Sequence, residues 1–264
     1  MLTFTDMELS FTAYQERQFH EISPAGIAAR AQAIHPGGKF SFHAGQWRPE
    51  PYVGHALVTM VEGDPANRPL AAQLWSIQNE LSYSFADPTT LYLLPEKSFH
   101  QTIANTLSAE RHHRMVVDRG LDGDFPALVT GAFSDIPEPI HPKPVVMRMV
   151  GLSLFSTAIG LLGVFEGEED LQRVHAFRDH FYGNESIGRL GIRRTRPFIG
   201  HITLAYVEGG LDSGDRSRLV DAVCALNRIL ASQDLRFHLS GVELRSYTHL
   251  AEFRPLPGLP TARF

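Results

Sequence analysis

A four-residue pattern of histidine, any residue, threonine and an aliphatic residue occurs once in each half of the chain. The first copy spans residues 100–103 (His-Gln-Thr-Ile), and the second spans residues 201–204 (His-Ile-Thr-Leu). Each copy lies in an apolar run typical of a β-strand, in which residues i and i+2 point to the same face. The repeat therefore predicts two strands, each with an imidazole beside a hydroxyl on one face and aliphatic side chains directed to a core on the other.

A pattern this short can arise by chance, because the chain contains 13 histidines and short motif matches are only hypotheses. Three features favour a common role: both copies use threonine, both lie in predicted strands, and both occupy comparable positions in the two halves. The alternative is that each histidine is an ordinary half-buried strand residue bonded to a nearby backbone group. We expect instead that the couples His100/Thr102 and His201/Thr203 face one another across a shared groove.

The two copies resemble the motifs of the two-histidine (2H) phosphoesterase superfamily, which includes 2′-5′ RNA ligase-like proteins and cyclic nucleotide phosphodiesterases. The resemblance rests on residues 99–103 and 199–206 and on the order of elements over roughly residues 52–250. It implies an α+β fold with two lobes, in which duplicated antiparallel sheets related by a pseudo-twofold axis form a central cleft and helices lie outside. Some members have a basic residue shortly after the second motif, where this chain has Tyr206, so the resemblance leaves open how substrate is held on that side.

The resemblance implies a metal-independent phosphodiesterase that acts on a cyclic phosphate. One histidine would accept a proton and the other would donate one, a pair of tasks that suits an unperturbed pKa of about 6.5. Thr102 and Thr203 would donate hydrogen bonds to the non-bridging phosphate oxygens. Which of His100 and His201 is the acid stays open. The implied substrates are nucleoside 2′,3′-cyclic phosphates, 2′-5′ linked RNA ends or cyclic phosphates of ADP-ribose.

Two hypotheses of other classes compete with this one. A protein that binds nucleotides or RNA ends without turnover would use the same cleft. A histidine-rich metalloenzyme would be expected to show an H-E-x-x-H or H-x-x-E-H spacing, or carboxylates clustered near the motifs, and the sequence has neither. We therefore expect no metal site and no cofactor.

The overall charge limits the kind of partner. With 264 residues and a formal net charge of −5, the chain lacks the basic excess of a general nucleic-acid binder. A small nucleotide or an RNA end needs only a local basic site, and we favour a small nucleotide over long nucleic acid. The single cysteine, Cys224, excludes an intrachain disulfide. No apolar run of signal-peptide type begins the sequence, and residues 145–165 are predicted to form two buried strands rather than a membrane span. We expect a cytoplasmic monomer that does not enter a membrane.

Residues 1–50 show no clear periodicity beyond a short predicted helix at residues 23–31, and they have no counterpart in the resembling family. We interpret them as an N-terminal extension that packs on the body. Residues 51–264 are predicted to form a single bilobal domain. The lobe boundary is placed near residues 136–144, where four prolines in nine residues prevent regular structure.

Two arginines are candidate substrate ligands. Arg148 lies in an apolar strand, where a charge needs either a partner or a cleft, so a phosphate site and a structural salt bridge both stay open. Arg196 belongs to a cluster of four arginines at residues 189–196 that leads into the second motif. This cluster could steer an anionic substrate or could be a solvated loop. Residues 111–114, which include His112 and His113, are predicted to lie on a solvated surface.

Overall fold

The computed structural model describes residues 8–85, 87–134, 136 and 144–263. The chain combines a curled antiparallel sheet with helices on its outside, which confirms the predicted α+β, two-lobed architecture. In the described ranges the helices are α1 (Phe11–Glu21), α2 (Pro24–Ala33), α3 (Arg68–Tyr83), α4 (Ala109–His112), α5 (Phe125–Ser134), α6 (Glu168–Gly183), α7 (Glu185–Arg189) and α8 (Ser213–Leu230).

The strands in these ranges fall into a small hairpin and one large sheet. They are β1 (Phe40–His43), β2 (Gln46–Pro49), β3 (Gly54–Met60), β4 (Leu91–Leu93), β5 (His100–Ser108), β6 (Val145–Leu154), β7 (Ala158–Phe165), β8 (His201–Val207), β9 (Arg236–Leu239), β10 (Glu243–Tyr247) and β11 (Arg254–Pro255).

The large sheet brings the two halves of the chain together at its centre. Its order is β11-β10-β3-β5-β8-β7-β6-β9, with β4 paired to β8, and its pairings are antiparallel. Strand β5, from the first half, lies beside β8, from the second. These are the two strands that carry the repeated motif.

The regular elements follow from simple sequence patterns. In α3, four buried side chains recur at intervals of three and four residues and form one helical face against the sheet: Leu70, Leu74, Ile77 and Leu81. Helix α8 begins with a capping box, in which the side chains of Asp212 and Asp215 each accept a hydrogen bond from the other's backbone N–H. Strands β6 and β7 are almost wholly buried, as their apolar sequences predict.

The first fifty residues contain more regular structure than their sequence indicates. Helix α1 has few apolar positions, and the two residues it buries are Tyr14 and Gln18. The Tyr14 hydroxyl donates to the Gly163 carbonyl at 2.8 Å, and Gln18 Nε2 donates to the carbonyls of Gly163 and Gly200 at 2.8 and 3.2 Å. A buried glutamine gives no apolar signal, so periodicity does not reveal this helix.

The β1–β2 hairpin packs through aromatic rings on β4. Phe40 stacks on Tyr92 with ring centroids 3.6 Å apart, and Trp47 meets the same ring edge-on at 5.5 Å. The lobe boundary predicted near residues 136–144 lies outside the described residues, apart from Ile136 and Pro144. The helices of the described ranges are too short or too polar to cross a bilayer.

Candidate active site

The two copies of the motif lie next to each other in the sheet. Strands β5 and β8 pair with Gln101 opposite Ile202, so the antiparallel register sets each histidine of one strand against the threonine of the other. Gln101 and Ile202 are buried on one face, and the four motif side chains, half-buried, share the opposite face: His100, Thr102, His201 and Thr203.

These four side chains line a cavity of about 220 Å³. The rest of its wall is mainly aromatic and uncharged, with Tyr52, Tyr206, Tyr247, Phe253, Asn105 and Ser108, and it includes one cation, Arg196. A concave site with convergent polar groups is the usual form of a small-molecule site. The cavity therefore joins the chemistry-bearing residues of both halves of the chain in one place.

Backbone hydrogen bonds fix the orientation of both imidazoles. His100 Nδ1 lies 2.7 Å from the Ser98 carbonyl oxygen, and His201 Nδ1 lies 3.1 Å from the Ile199 carbonyl oxygen. Because a carbonyl can only accept, Nδ1 carries the hydrogen in each ring and Nε2 keeps its lone pair. Each histidine thus presents the same nitrogen, in the same tautomer, for proton transfer.

Aromatic rings hold the two imidazoles in place. The Phe253 centroid lies 4.0 Å from that of His100, and the Phe155 centroid lies 4.7 Å from that of His201. Gly160 makes room for the second arrangement, since a Cβ there would lie 2.9 Å from Phe155 Cε2 and 3.4 Å from His201 Cδ2. The rings therefore have little freedom to turn away from the cavity.

Burial makes both imidazoles weak bases. It lowers the pKa of His100 from 6.5 to about 4, while the bond to Ser98 opposes the shift and the charge of Arg245 adds to it. Burial also lowers the pKa of His201 from 6.5 to about 4, and the charge of Arg196 contributes. Without ligand, both rings are neutral at pH 7.

The two imidazoles influence each other electrostatically. A positive charge on His100 lowers the pKa of His201, as does the guanidinium of Arg17 on α1. Such an effect requires the groups to lie near one another. Arg17 belongs to the N-terminal extension and has no sequence signal that links it to the motif.

The arginine cluster at residues 189–196 divides into structural and cavity-facing members. Arg194 is buried and forms ion pairs with Glu8 and Asp179, and Arg189 pairs with Glu185. Arg196 lines the cavity. Arg189 and Arg194 therefore already have carboxylate partners, whereas Arg196 is the member of the cluster that lines the cavity.

Arg178 holds the segment that carries Arg196. Its guanidinium donates to the carbonyl of Arg196 at 3.0 Å and pairs with Glu8 Oε1 at 2.6 Å. It also donates to the carbonyl of Ile103, the last residue of the first motif. One buried side chain thus ties the loop before β8 to β5.

Arg148 is not among the residues that line the cavity. Its Nε lies 3.7 Å from Glu166 Oε1, and its side chain is 38% exposed on β6. This contact fits the salt-bridge alternative, and it places Arg148 outside the cavity that the motif residues line.

The prediction that His112 lies on a solvated surface is wrong. The side chain is 4% exposed, and its ring stacks on that of His55 with centroids 5.3 Å apart. The short α4 directs it beneath the start of β3, a contact that helix geometry alone does not reveal. In the part of the chain that the structure describes, no three His, Cys, Asp or Glu side chains are grouped to hold a metal ion.

The aromatic wall was also absent from the sequence predictions. Tyr52 precedes β3 and Tyr247 ends β10, and they come together because Tyr247 pairs with Gly54 across the two strands. Their rings are parallel within 9°, with centroids 6.3 Å apart. Only long-range strand pairing places them beside the motif, so no local pattern could have identified them.

Comparison with known proteins supports the fold. No protein-family model and no curated protein matches the chain. Among solved structures it is similar to a conserved protein of unknown function from Agrobacterium tumefaciens, with 18% identity and a TM-score of 0.60 over 90% of this chain and 96% of that one. A structure from Thermus thermophilus has 15% identity and a TM-score of 0.40 over 77% of this chain and 98% of that one.

Proposed function

We propose that this chain is a two-histidine phosphoesterase that hydrolyses a cyclic phosphodiester without a metal ion. The observation that carries the proposal is the register of β5 against β8, which sets two histidine–threonine couples on one face of one cavity. Two matched proton-transfer groups and two hydroxyl donors are the set that opening a cyclic phosphate requires.

In the proposed reaction, Nε2 of one neutral imidazole accepts a proton from water as the water oxygen bonds to phosphorus. The bond from phosphorus to one ribose oxygen breaks, and the second imidazole, in its protonated form, donates a proton to that oxygen. One water is consumed, and a phosphomonoester and a free hydroxyl are formed. Proton exchange with solvent restores both rings.

The acid must gain its proton when substrate binds, because both pKa values are about 4 in the free protein. A phosphate anion within about 4–6 Å favours the protonated imidazole and raises its pKa. Two arginines, Arg196 and Arg17, favour the neutral form of His201, whereas one, Arg245, does so at His100. We therefore assign His201 as the base and His100 as the acid in hydrolysis.

Thr102 and Thr203 are assigned to the non-bridging oxygens. Their hydroxyls lie on the same face as the imidazoles, and a neutral donor stabilises the developing charge without adding a cation that would deprotonate the acid. Arg196 supplies the positive charge that the dianionic transition state needs.

The direct test is hydrolysis of nucleoside 2′,3′-cyclic monophosphates with several bases, in the presence of a chelator, followed by phosphorus NMR. We expect conversion to a single nucleoside monophosphate at a rate that the chelator does not change. Absence of product with every base, or loss of activity on chelation, would contradict the proposal.

Binding without turnover is the second candidate, and the low pKa of both histidines favours it, since neither ring holds a proton to donate in the free protein. It predicts that a nucleoside monophosphate binds in calorimetry while no cyclic substrate is converted on long incubation. Measured turnover that depends on both histidines excludes this candidate.

A further inference from the structure

The wall of the cavity contains a second polar group besides the motif residues. We call it the tyrosine cluster and define it as Tyr52, Tyr206, Tyr247 and Ser108, all of which line the cavity. The Tyr52 hydroxyl lies 3.3 Å from Ser108 Oγ, and Tyr247 also bonds to that serine. Tyr206 lies near enough to Tyr52 for that phenol to raise the pKa of Tyr206, and near enough to Tyr247 to raise the pKa of Tyr247.

The hydroxyls of Tyr206 and Tyr247 stay uncharged. Burial raises the pKa of Tyr206 and of Tyr247 well above the usual value of 10, and the neighbouring phenols raise it further. A neutral phenol both donates and accepts hydrogen bonds. The cluster is therefore suited to sugar or base groups that are themselves neutral donors and acceptors.

Two further cations, Arg245 and Lys39, lie near the cluster but outside the wall of the cavity. Arg245 pairs with Glu243 Oε1 at 2.7 Å and donates to the carbonyl of Phe253 at 2.9 Å. Lys39 Nζ lies 3.9 Å from the centroid of the Tyr52 ring, and its charge opposes the rise that burial causes in the pKa of Glu208. Neither side chain lines the cavity, so among the described lining residues Arg196 is the single cation.

The cavity is also small. Its volume of about 220 Å³ falls below the roughly 300–1,000 Å³ of sites that enclose drug-sized ligands. One phosphate at the motif residues, with its sugar against the tyrosine cluster, would use much of this space. A second phosphate would lie among phenols with no further cation in the described wall of the cavity, and a buried charge without a partner is costly.

We propose that this cavity selects a ligand with a single phosphate, carried on a neutral nucleoside or sugar whose polar groups bond to the tyrosine cluster. The inference rests on the proposed function and narrows its substrate class. It disfavours a nucleotide with a second phosphate and the end of an oligonucleotide.

The test compares a nucleoside 2′,3′-cyclic phosphate with the same compound carrying an additional 5′-phosphate and with a dinucleotide that ends in the cyclic phosphate. We expect kcat/KM to be at least about tenfold lower for each of the two larger substrates, since the added phosphate enters without a cation. Equal or higher kcat/KM for either of them would overturn the inference while leaving the phosphoesterase assignment intact.

A binding measurement separates this inference from the proposed function. Calorimetry should find that a nucleoside 3′-monophosphate binds more tightly than the 3′,5′-bisphosphate. If no cyclic substrate turns over but this preference holds, the proposed function fails and the inference on selection stands. If the bisphosphate binds as tightly or more tightly, the inference on selection fails.

Removal of single hydroxyls tests the role of the cluster. Tyr206→Phe and Tyr247→Phe should each raise KM about three- to tenfold and leave kcat within about twofold, as expected when one neutral hydrogen bond to bound ligand is lost. The matched control is Tyr83→Phe, because Tyr83 is 83% exposed on α3. KM values equal to that of the control would overturn the assignment of these hydroxyls.

Discussion

Two pairs of histidines in this chain have lowered pKa values, and they differ in what surrounds their ring nitrogens. His100 and His201 face the cavity of the candidate site. His55 and His112 stack on each other and pack against Phe125, with centroids 5.0 and 5.7 Å from its ring. Burial lowers the pKa of His55 to about 4 and also lowers that of His112, so this pair resembles the first in ionisation.

Within the described ranges, the second pair lacks the hydrogen bonds that orient the first pair. Among the described residues, His55 Nδ1 and His112 Nε2 are buried without a hydrogen-bond partner. A cavity of about 600 Å³ adjoins His112 and is larger than that at the motifs, but its lining offers no hydroxyl beside the imidazole. Neither a low pKa nor a large cavity is therefore sufficient to identify an active site. An oriented ring, an accessible Nε2 and a neighbouring donor distinguish the first pair.

Replacement of each histidine gives the largest expected difference between the two pairs, and that difference is in kcat/KM. His100→Ala and His201→Ala should each lower kcat/KM on a cyclic nucleotide by about 10²–10⁴, the usual contribution of a positioned acid or base. His55→Gln and His112→Gln should leave kcat/KM within about threefold, since neither ring lines the 220 Å³ cavity. Steady-state kinetics on all four variants provides the measurement.

Thermal unfolding of the same variants is the control. The alanine variants should keep a cooperative transition, so that lost activity cannot reflect lost structure. A large loss of activity in a folded His55 or His112 variant would remove the distinction between the pairs, as would normal activity in either alanine variant.

The sequence was sufficient for the motif strands because their signals are local. A histidine and a threonine two residues apart on a strand must share a face, and the repeat predicted that both couples would meet. The pattern of α3 is equally local, since Leu70, Leu74 and Ile77 mark a single helical face.

Other parts of the site could not be predicted from the sequence, because they depend on contacts between distant segments. Tyr52 reaches the cavity through the pairing of β3 with β10, and Arg17 approaches His201 because α1 packs on β7 through a glutamine and a tyrosine. Arg148 and Arg196 looked equivalent as candidate ligands. In the folded chain Arg196 lines the cavity, whereas Arg148 lies on β6 beside Glu166.

A second contrast concerns stability below neutral pH. The folded-state pKa of His55, about 4, lies below the ordinary 6.5, so the unfolded chain binds more protons between these values and stability falls as pH decreases from about 6.5 towards 4. For His55 this loss between pH 7 and 5 is on the order of 1–2 kcal/mol. Chemical denaturation of His55→Gln should show a correspondingly smaller loss.

The exposed His20 on α1 provides the control for this measurement. His20→Gln removes an imidazole from the surface, and its stability should follow that of the unmodified chain across the same pH range. An unchanged slope in His55→Gln would indicate that the ring is not held neutral by burial.

The smallest predicted effect tests whether His100 and His201 differ in the charges that lie near them. The charge of Arg196 lowers the pKa of His201 and does not contribute to that of His100, whose nearby charge is Arg245. Arg196→Gln should therefore raise the pKa of His201 by about half a unit, as expected for a partly screened charge, and less at high salt. The pKa of His100 should stay fixed in the same sample and serves as an internal control.

Titration of the imidazole signals by NMR measures both values at once, and Arg17→Gln extends the test. Arg17 lowers the pKa of His201 without lining the cavity, so its replacement should shift the same resonance in the same direction. Since these two arginines are the reason for assigning His201 as the base, equal shifts at both histidines would remove that assignment. The pairing of the motifs across β5 and β8 would still stand, because it depends on the register of the strands and not on charge.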